Sequence, residues 1–374
     1  MTNQKANPQL YKLIKNLKLK DTTPLRLSIF DQLRKTNIVY HLAYEITSKS
    51  PWLLKSLYLF SYSVYCLGKL KPFQRSHSLC IWENKPELKA VLDSFHQPID
   101  HQKVSFSFFN FFRSIKIIKP KSAIKFYKLL KVLSKKESLL ISLRTSELII
   151  FYSFYKNINS WPEKIYFSSD ASPFVNGIMG AKPSGTMSFY TPHGIVPKAK
   201  NLLYFDQVIF RWNYNQQRMK HRSLGECKLY SLKKIPSFKL SKQKNYKIGI
   251  ICSIIPNTSE IERLYYRLEN LGHMVLIKKH PNMISKPFKN KKLNFTDNLN
   301  NFDIVYGANS GHCIKILEKG IPVVAYFSLD YAPKDIYELA KDKILYEQTK
   351  SEVNFKEVLD FYQDKKWLSA WSNI

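Results

Sequence analysis

The apolar positions of the chain predict regular strand–helix alternation in its second half. Apolar runs of strand length lie at 247–254, 274–279, 302–307 and 322–327, and segments with helical spacing separate them at 258–271 and 311–319. Strands that alternate with helices of about a dozen residues indicate a parallel sheet covered by helices on both faces. The pattern therefore predicts an α/β domain over residues 247–355.

The first half shows the same alternation less regularly. Apolar runs that predict strands lie at 78–82, 104–109, 164–167, 186–190 and 207–212, with a short helix near 173–181. They predict a first Rossmann-like domain over residues 76–236. The polar stretch 237–246, rich in Lys and Ser, is the predicted linker.

The two ends of the chain complete the predicted α/β architecture. Residues 1–75 have mainly helical spacing, with a buried helix at 52–68, and 356–374 is a predicted C-terminal helix. The fold class is then α/β, with two Rossmann-like domains that face each other across a cleft and a helical N-terminal extension. In such sheets, ligands bind outside the carboxyl ends of the strands.

Charge is the unusual feature of the composition. The chain has 374 residues, with 59 Lys and Arg against 28 Asp and Glu, a formal net charge of +31. Such an excess favours an anionic partner: nucleic acid, a membrane surface, or a phosphorylated or acidic substrate. The basic residues are spread along the whole chain, and no zinc-finger, RNP or basic-region motif occurs. We therefore expect no nucleic-acid partner.

The glycine and cysteine residues exclude several other classes of protein. The 11 glycines form neither a dinucleotide fingerprint nor a P-loop. The five cysteines are odd in number and widely separated, which suits neither a disulfide framework nor a zinc site. The N-terminal residues lack the apolar stretch of a secretory signal. These features predict a cytoplasmic protein.

A basic amphipathic segment at 122–136 suggests contact with a membrane surface. Its Lys125, Lys128 and Lys131 recur every three residues among apolar side chains, and the segment 11–20 is similar. Lysines on one face and apolar residues on the other suit an anionic bilayer. The alternative is a core helix with a solvated Lys face. The prediction is a peripheral position on the inner face of the cytoplasmic membrane.

Polar residues follow two predicted strands of the second domain. His280 precedes a proline, which biases its backbone to the extended region, so the strand ends there. Ser310 opens the next predicted helix, whose N-terminal N–H groups attract anions. Together, at two adjacent strand ends, these positions predict a phosphate site, and the alternative is a capping Ser and an exposed loop His. The predicted set is Lys278, His280, Pro281, Asn309, Ser310 and Gly311.

The same residues resemble a known family. IKKHP (277–281) and YGANSGHCIKILEKGIPVV (306–324) are similar to motifs of bacterial glycosyltransferases of the GT-B fold. The strongest resemblance is to the CMP-sugar-dependent sialyl-, polysialyl- and Kdo-transferases of capsule and lipopolysaccharide synthesis. CDP-glycerol polymerases share part of the pattern. The resemblance implies that His280 and Ser310 bind the phosphate of the nucleotide.

The resemblance extends to residues 166–194 of the first domain. It places Asp170 and His193 after two neighbouring strands, facing the cleft, and makes Asp170 the general base. The alternative for Asp170 is a helix N-cap ahead of Ser172, and for His193 a turn residue beside Gly194. His312 is expected inside the helix. We count Asp170, His193 and His280 as the candidate catalytic residues.

One position departs from the family pattern. Many GT-B enzymes hold the ribose with an acidic residue where this chain has Lys315, and Glu318 follows three residues later. This departure favours a CMP donor with its single phosphate. A D-x-D metal motif is missing, so we expect a metal-independent enzyme without a cofactor.

The predicted reaction is an inverting transfer of an acidic sugar, a sialic acid-like nonulosonate or Kdo. The sugar would move from its CMP donor to a bacterial surface polysaccharide or glycolipid. Two alternatives remain: a CDP-glycerol-type polyol-phosphate transferase, and a non-enzymatic protein that binds membranes or polyanions.

Overall fold

Two all-parallel sheets flanked by helices form the protein. The computed structural model describes residues 51–74, 76–82, 99–118, 139–168, 172–192, 205–212, 216, 226–229, 236–238, 245–281, 283, 288–290, 292–331, 333–349 and 354–372. Every strand pair in both sheets is parallel. The predicted α/β class with two sheet-based units is therefore confirmed.

The first sheet has six strands in the order β2-β1-β3-β4-β5-β6. They are β1 (Ser78–Trp82), β2 (Asp100–Lys103), β3 (Lys164–Phe167), β4 (Met187–Tyr190), β5 (Gln207–Phe210) and β6 (Glu226–Leu229). The strand predicted at 104–109 is wrong, because pairing with β1 ends at Lys103 and a helix begins at Phe108. The central strands β3, β4 and β5 bury their last three residues.

Among the residues that the structure describes, four helices accompany this sheet: α1 (Trp52–Lys69), α2 (Phe108–Ile117), α3 (Leu139–Tyr155) and α4 (Pro173–Ala181). α3 and α4 pack closely at Gly177, where an added Cβ would lie 2.6 Å from the carbonyl oxygen of Leu148. The helix α1 was predicted to be buried, and this is wrong. Leu59 and Cys66 are buried, but the opposite face, with Leu57 and Tyr58, is exposed.

The second sheet has five strands in the order β11-β10-β9-β7-β8. They are β7 (Lys247–Ile251), β8 (Met274–Lys278), β9 (Ile304–Gly307), β10 (Val323–Ala325) and β11 (Tyr346–Glu347). The chain runs from β7 to β8 on one side and then crosses to β9 on the other side of β7. The strand order therefore reverses at β7, which places a topological switch point at its carboxyl end.

The helices of the second unit are α5 (Thr258–Asn270), α6 (His312–Leu317), α7 (Phe355–Gln363) and α8 (Lys365–Ser372). The single C-terminal helix predicted at 356–374 is two helices that meet at Asp364. Both pack on the second core. Trp367 is buried, and its indole N–H donates to the carbonyl of Ile344 at 3.1 Å.

A charged contact joins the two units. Arg211 and Trp212 follow β5, and both donate to the Glu318 carboxylate at the end of α6, at 2.9 and 2.7 Å. Trp212 is itself buried with the second core. In the part of the chain that the structure describes, no helix is both long and apolar enough to span a membrane.

Candidate functional site

Most of the residues predicted to bind phosphate lie at the carboxyl edge of the second sheet. Lys278 ends β8 and pairs with Ile251 of β7, and Tyr306 of β9 pairs with Ile250 on the other side. The two strand ends were expected to be adjacent, and this is wrong because β7 lies between them. Two inter-strand spacings, about 9.5 Å, separate β8 from β9. Side chains from both strands can therefore reach an anion that lies over the end of β7.

His280 lies at the β8 end of this edge. Its side chain is half-buried, and burial lowers the pKa of His280 below its usual value. Its carbonyl accepts from the N–H of Met283 at 3.0 Å, which closes a turn around the exposed Pro281. A neutral imidazole held in this way can donate a hydrogen bond to an oxyanion and take up a proton when the anion binds.

The two lysines beside His280 contact the segment that follows. The ammonium group of Lys278 donates to the carbonyl of Asp297. The ammonium group of Lys279 lies 3.9 Å from the ring centroid of Phe295. In this structure both lysines fix segment 295–297 against the end of β8. Lys278 therefore remains a predicted phosphate ligand, and to bind phosphate its ammonium group would have to leave the carbonyl of Asp297.

Ser310 lies at the β9 end of the edge and is buried. Its hydroxyl oxygen accepts from the N–H of His312 at 3.2 Å. A serine hydroxyl that accepts still carries one O–H donor. Gly311 has helical φ and ψ and precedes α6, which is shorter than predicted and begins at His312. His312 therefore starts the helix, where it was expected to lie inside it.

Asn309 is held by bonds within the protein. Its side-chain NH₂ donates to Asp330 and to the carbonyl of Lys334, both at 2.8 Å, and its side-chain oxygen accepts from the N–H of Ile336 at 2.9 Å. Its backbone N–H also donates to Asp330, at 3.1 Å. Asn309 thus connects the end of β9 to segment 330–336 and positions the neighbouring Ser310.

Asp330 is a residue of this edge that the sequence reasoning missed. Its side chain is buried, and burial raises the pKa of Asp330 above its usual value. Asn309 and the hydroxyl of Ser253, two residues after β7, oppose this shift by hydrogen bonding to the carboxylate. Asp330 lies five residues after β10, and neither its burial nor its partners are apparent from the sequence around it. Asp330 holds the ends of β7 and β9 together.

The predicted residues of the first sheet lie just beyond its strand ends. β3 and β4 are neighbours, as expected, and Asp170 and His193 each follow the last residue of their strand by three positions. Both residues lie outside the described part of the chain. At the described edge, the N–H of Thr191 donates to the carbonyl of Phe167 at 2.8 Å. This bond extends the pairing of β3 and β4 to the positions from which the two loops leave.

The carboxylate of Glu318 makes the contact between the units. Arg211 and Trp212 occupy both of its oxygens, and the side chain is 15 % exposed. Glu318 therefore does not replace the ribose-binding carboxylate that is missing at Lys315. Among the described residues, no three His, Cys, Asp or Glu side chains come together in a group that could hold a metal ion.

No family model and no curated protein matches the chain. The calicheamicin glycosyltransferase CalG4 is similar in structure at a TM-score of 0.43 and 8 % identity, over 80 % of this chain and 94 % of CalG4. The glycosyltransferase SnogD from Streptomyces nogalater has a TM-score of 0.44 and 10 % identity, over 79 % and 94 %. A putative UDP-N-acetylglucosamine 2-epimerase from Listeria monocytogenes has a TM-score of 0.36 and 10 % identity, over 85 % and 88 %. At these scores the similarities add nothing to the functional argument.

Proposed function

We propose that the protein is a glycosyltransferase of the GT-B type that binds a nucleotide sugar at the carboxyl edge of its second sheet. The observation that carries the proposal is the position of His280 and Ser310. They follow β8 and β9 on either side of β7, at the switch point where open α/β sheets bind their ligands. The motifs that contain both residues are those that resemble the CMP-sugar transferases.

The proposed donor is a CMP-sugar. Its single phosphate carries little charge to neutralise, and an imidazole with one hydroxyl at the two strand ends suits it. The Lys315 position lacks the ribose-binding carboxylate, and Glu318 is engaged with Arg211. The net charge of +31 favours an anionic donor and an acidic sugar, a nonulosonate or Kdo.

The proposed chemistry is a single displacement with inversion. Asp170 takes the proton from the acceptor hydroxyl, and His193 lies after the neighbouring strand as the alternative base. His280 and Ser310 donate hydrogen bonds to the departing CMP phosphate, and stabilisation of this charge provides most of the rate enhancement. The acceptor is a growing bacterial surface polysaccharide or glycolipid.

A donor panel tests the proposal. The protein is incubated with CMP-sialic acid, CMP-Kdo, CDP-glycerol and UDP-glucose in the presence of a lipid or oligosaccharide acceptor, and the released nucleotide is measured. Release of CMP from a CMP-sugar is the expected result. Release from CDP-glycerol would move the activity to polyol-phosphate transfer. No release from any donor would contradict a transferase function.

Variants of Asp170 test the assignment of the base. Asp170→Asn keeps the size and the capping ability of the side chain but cannot accept the proton. Transfer should fall by about 10²–10⁴-fold, with nucleotide affinity and melting temperature unchanged. Transfer at the native rate would leave Asp170 as an N-cap and His193 as the base to be tested next.

A further inference from the structure

Exposed aromatic and aliphatic side chains cover one side of α1 and α2. On α1 they recur at helical spacing from Leu54 to Tyr65, and on α2 they begin at the first residue of the helix. Phe108, Phe109 and Phe112 are 71, 72 and 63 % exposed, which is unusual for phenylalanine. We call this surface the aromatic face, and its main members are Leu57, Tyr58, Tyr65, Phe108, Phe109 and Phe112.

Ring contacts make the two helices one surface. The ring of Tyr65 stacks on Phe106 with centroids 5.8 Å apart, and Phe106 meets Phe108 edge to face at 5.2 Å. The N–H of Ser107 donates to the carbonyl of Gly68 at 2.8 Å, which fixes the start of α2 against the end of α1. The exposed rings therefore have defined positions relative to one another.

The charges that α1 and α2 themselves carry are all positive, and the carboxylate of Glu147 on α3 accepts from the hydroxyl of Tyr62 beside them at 2.9 Å. Segments 51–74 and 104–118 contain no Asp or Glu, and their five basic residues are Lys55, Lys69, Lys71, Arg113 and Lys116. Arg113 and Lys116 are exposed and share a side of α2 with Phe109 and Phe112, since the four lie at positions i, i+3, i+4 and i+7. The ammonium group of Lys69 lies 4.3 Å from the ring centroid of Tyr65. Cations are thus interleaved with the rings.

We propose that the aromatic face docks the protein on an anionic lipid bilayer. Phenylalanine and leucine side chains enter the boundary between headgroups and acyl chains, tyrosines lie at headgroup level, and the basic residues pair with lipid phosphates. This surface differs from the segments 11–20 and 122–136 that the sequence suggested, which lie outside the described residues. Docking does not depend on the proposed reaction.

The composition of the face favours a bilayer over other partners. A second copy of the chain would bring together two surfaces on which basic residues predominate, and these repel each other. A nucleic acid would use the rings for stacking but would gain little from aliphatic side chains such as Leu57. An exposed apolar patch on two helices whose own charges are all basic matches a surface that is apolar inside and anionic outside.

The position of the face fits a substrate carried by the membrane. α2 begins five residues after β2 ends, so its N-terminus lies near the carboxyl edge of the first sheet. β3 and β4, which Asp170 and His193 follow in the sequence, end at the same edge. Docking through α1 and α2 would therefore bring this edge to the membrane surface.

Vesicle binding by the full chain tests the proposal. The protein is sedimented with vesicles of phosphatidylcholine alone and with vesicles of phosphatidylcholine and phosphatidylglycerol in equal amounts. We expect binding to the anionic vesicles only. The triple variant Phe108→Ser, Phe109→Ser, Phe112→Ser should bind the anionic vesicles at least about 50-fold more weakly, since the burial of each exposed ring in lipid is lost. The matched control is Leu271→Ser with Met274→Ser, whose side chains are 57 and 59 % exposed on the second unit.

Charge reversal on α2 provides an independent readout. Arg113→Glu with Lys116→Glu should weaken binding by at least about 25-fold, because each basic residue near an anionic surface contributes about fivefold. The matched control, Lys365→Glu with Lys366→Glu, makes the same change on the exposed surface of α8 and should bind as the native protein does. Melting temperatures should be native in all four variants, because every changed side chain is exposed.

Several outcomes would overturn the proposal. The native protein could ignore anionic vesicles, or the triple variant could bind them as tightly as its control. A native dimer that the triple variant turns into a monomer would assign the face to a second copy. Loss of polynucleotide binding with unchanged vesicle binding would assign it to nucleic acid. Nucleotide affinity should be native in the triple variant, so failure of docking and failure of the proposed reaction are separate results.

Discussion

The bonds between Asp330 and Asn309 predict a measurable loss of stability and of nucleotide affinity when the carboxylate is removed. In Asp330→Ala, the buried site keeps the two Asn309 donors, but the oxygen that accepts from them at 2.8 and 3.1 Å is gone. The side-chain NH₂ still has the carbonyl of Lys334, so the backbone N–H is the main group left without a partner. An unsatisfied buried donor costs about 1–3 kcal/mol, which corresponds to a fall in melting temperature of about 3–10 °C.

The Asp330→Asn variant separates the hydrogen bonds from the charge. Its amide oxygen can still accept from Asn309, so we expect a near-native melting temperature in mild acid. Because burial raises the pKa of Asp330 above its unfolded value, the native protein loses stability as the pH rises through the folded value. The variant has no such loss and should gain stability relative to the native protein as the pH rises above the unfolded value, about 4.

Thermal melts from acid to neutral pH, with and without CMP, provide the assay. Asp330→Ala should bind CMP more weakly because the loop that carries Ser310 is no longer fixed, and Asp330→Asn should restore the affinity. If Asp330→Ala melts at the native temperature and binds CMP as tightly as the native protein, the bonds between Asp330 and Asn309 stabilise neither the fold nor the CMP site. Identical pH profiles for native and Asp330→Asn would show that the carboxylate is not destabilised by burial.

Three further changes test the packing, the contact between the units and the state of the histidine. Gly177→Ala should lower the melting temperature by several degrees, because the new Cβ would lie 2.6 Å from the Leu148 carbonyl; a native melt would contradict the α3–α4 packing. Arg211→Ala should lower the free energy of unfolding by about 1–3 kcal/mol because it leaves one Glu318 oxygen unpaired, and the denaturation midpoint measures this loss; Glu318→Gln should lower it less. Burial lowers the pKa of His280, so the imidazole should take up a proton when CMP binds, and CMP affinity should weaken as the pH rises from about 6 to 8. Calorimetry in buffers of different ionisation enthalpy should show this proton uptake. Proton uptake that persists in His280→Gln would contradict the role of His280.

The strands that are covered on both faces could be predicted from the sequence. β7, β9 and β10 form continuous apolar runs because a parallel sheet covered by helices buries both sides of its strands. The missed strands are β2, β6 and β11, all at the edges of their sheets. β2 has the sequence DHQK and is held by backbone pairing with β1. Backbone pairing leaves no apolar pattern to detect.

The candidate site could be predicted only in part. His280 and Ser310 follow apolar strands directly, so their position at the carboxyl edge of the second sheet could be predicted from the sequence. The order of the strands was not, and β7 lies between the two residues. Asp330 follows a short 3₁₀ turn, Phe327–Leu329, and its contact with Asn309 spans 21 positions. Such a contact depends on the path of the chain, which the local pattern does not contain.

The exposed side of α1 illustrates the same limit. Its sequence, WLLKSLYLFSYSVYCLGK, is rich in apolar residues on all sides and therefore predicted a buried helix. The structure covers the side with Leu59 and Cys66 and leaves the side with Leu57 and Tyr58 exposed. The apolar content of a helix indicates that its side chains favour burial, but it does not indicate whether another part of the protein buries them.

Calorimetric titration of CMP tests directly whether the nucleotide phosphate binds between His280 and Ser310. The native protein, His280→Ala, Ser310→Ala and the control His101→Ala, whose histidine lies on β2 of the first sheet, are titrated under the same conditions. We expect the native protein and His101→Ala to bind CMP equally. His280→Ala and Ser310→Ala should each bind CMP at least about tenfold more weakly, since a hydrogen bond to a charged group contributes roughly 1.5–3 kcal/mol. Native affinity in both site variants, with melting temperatures unchanged, would contradict the account.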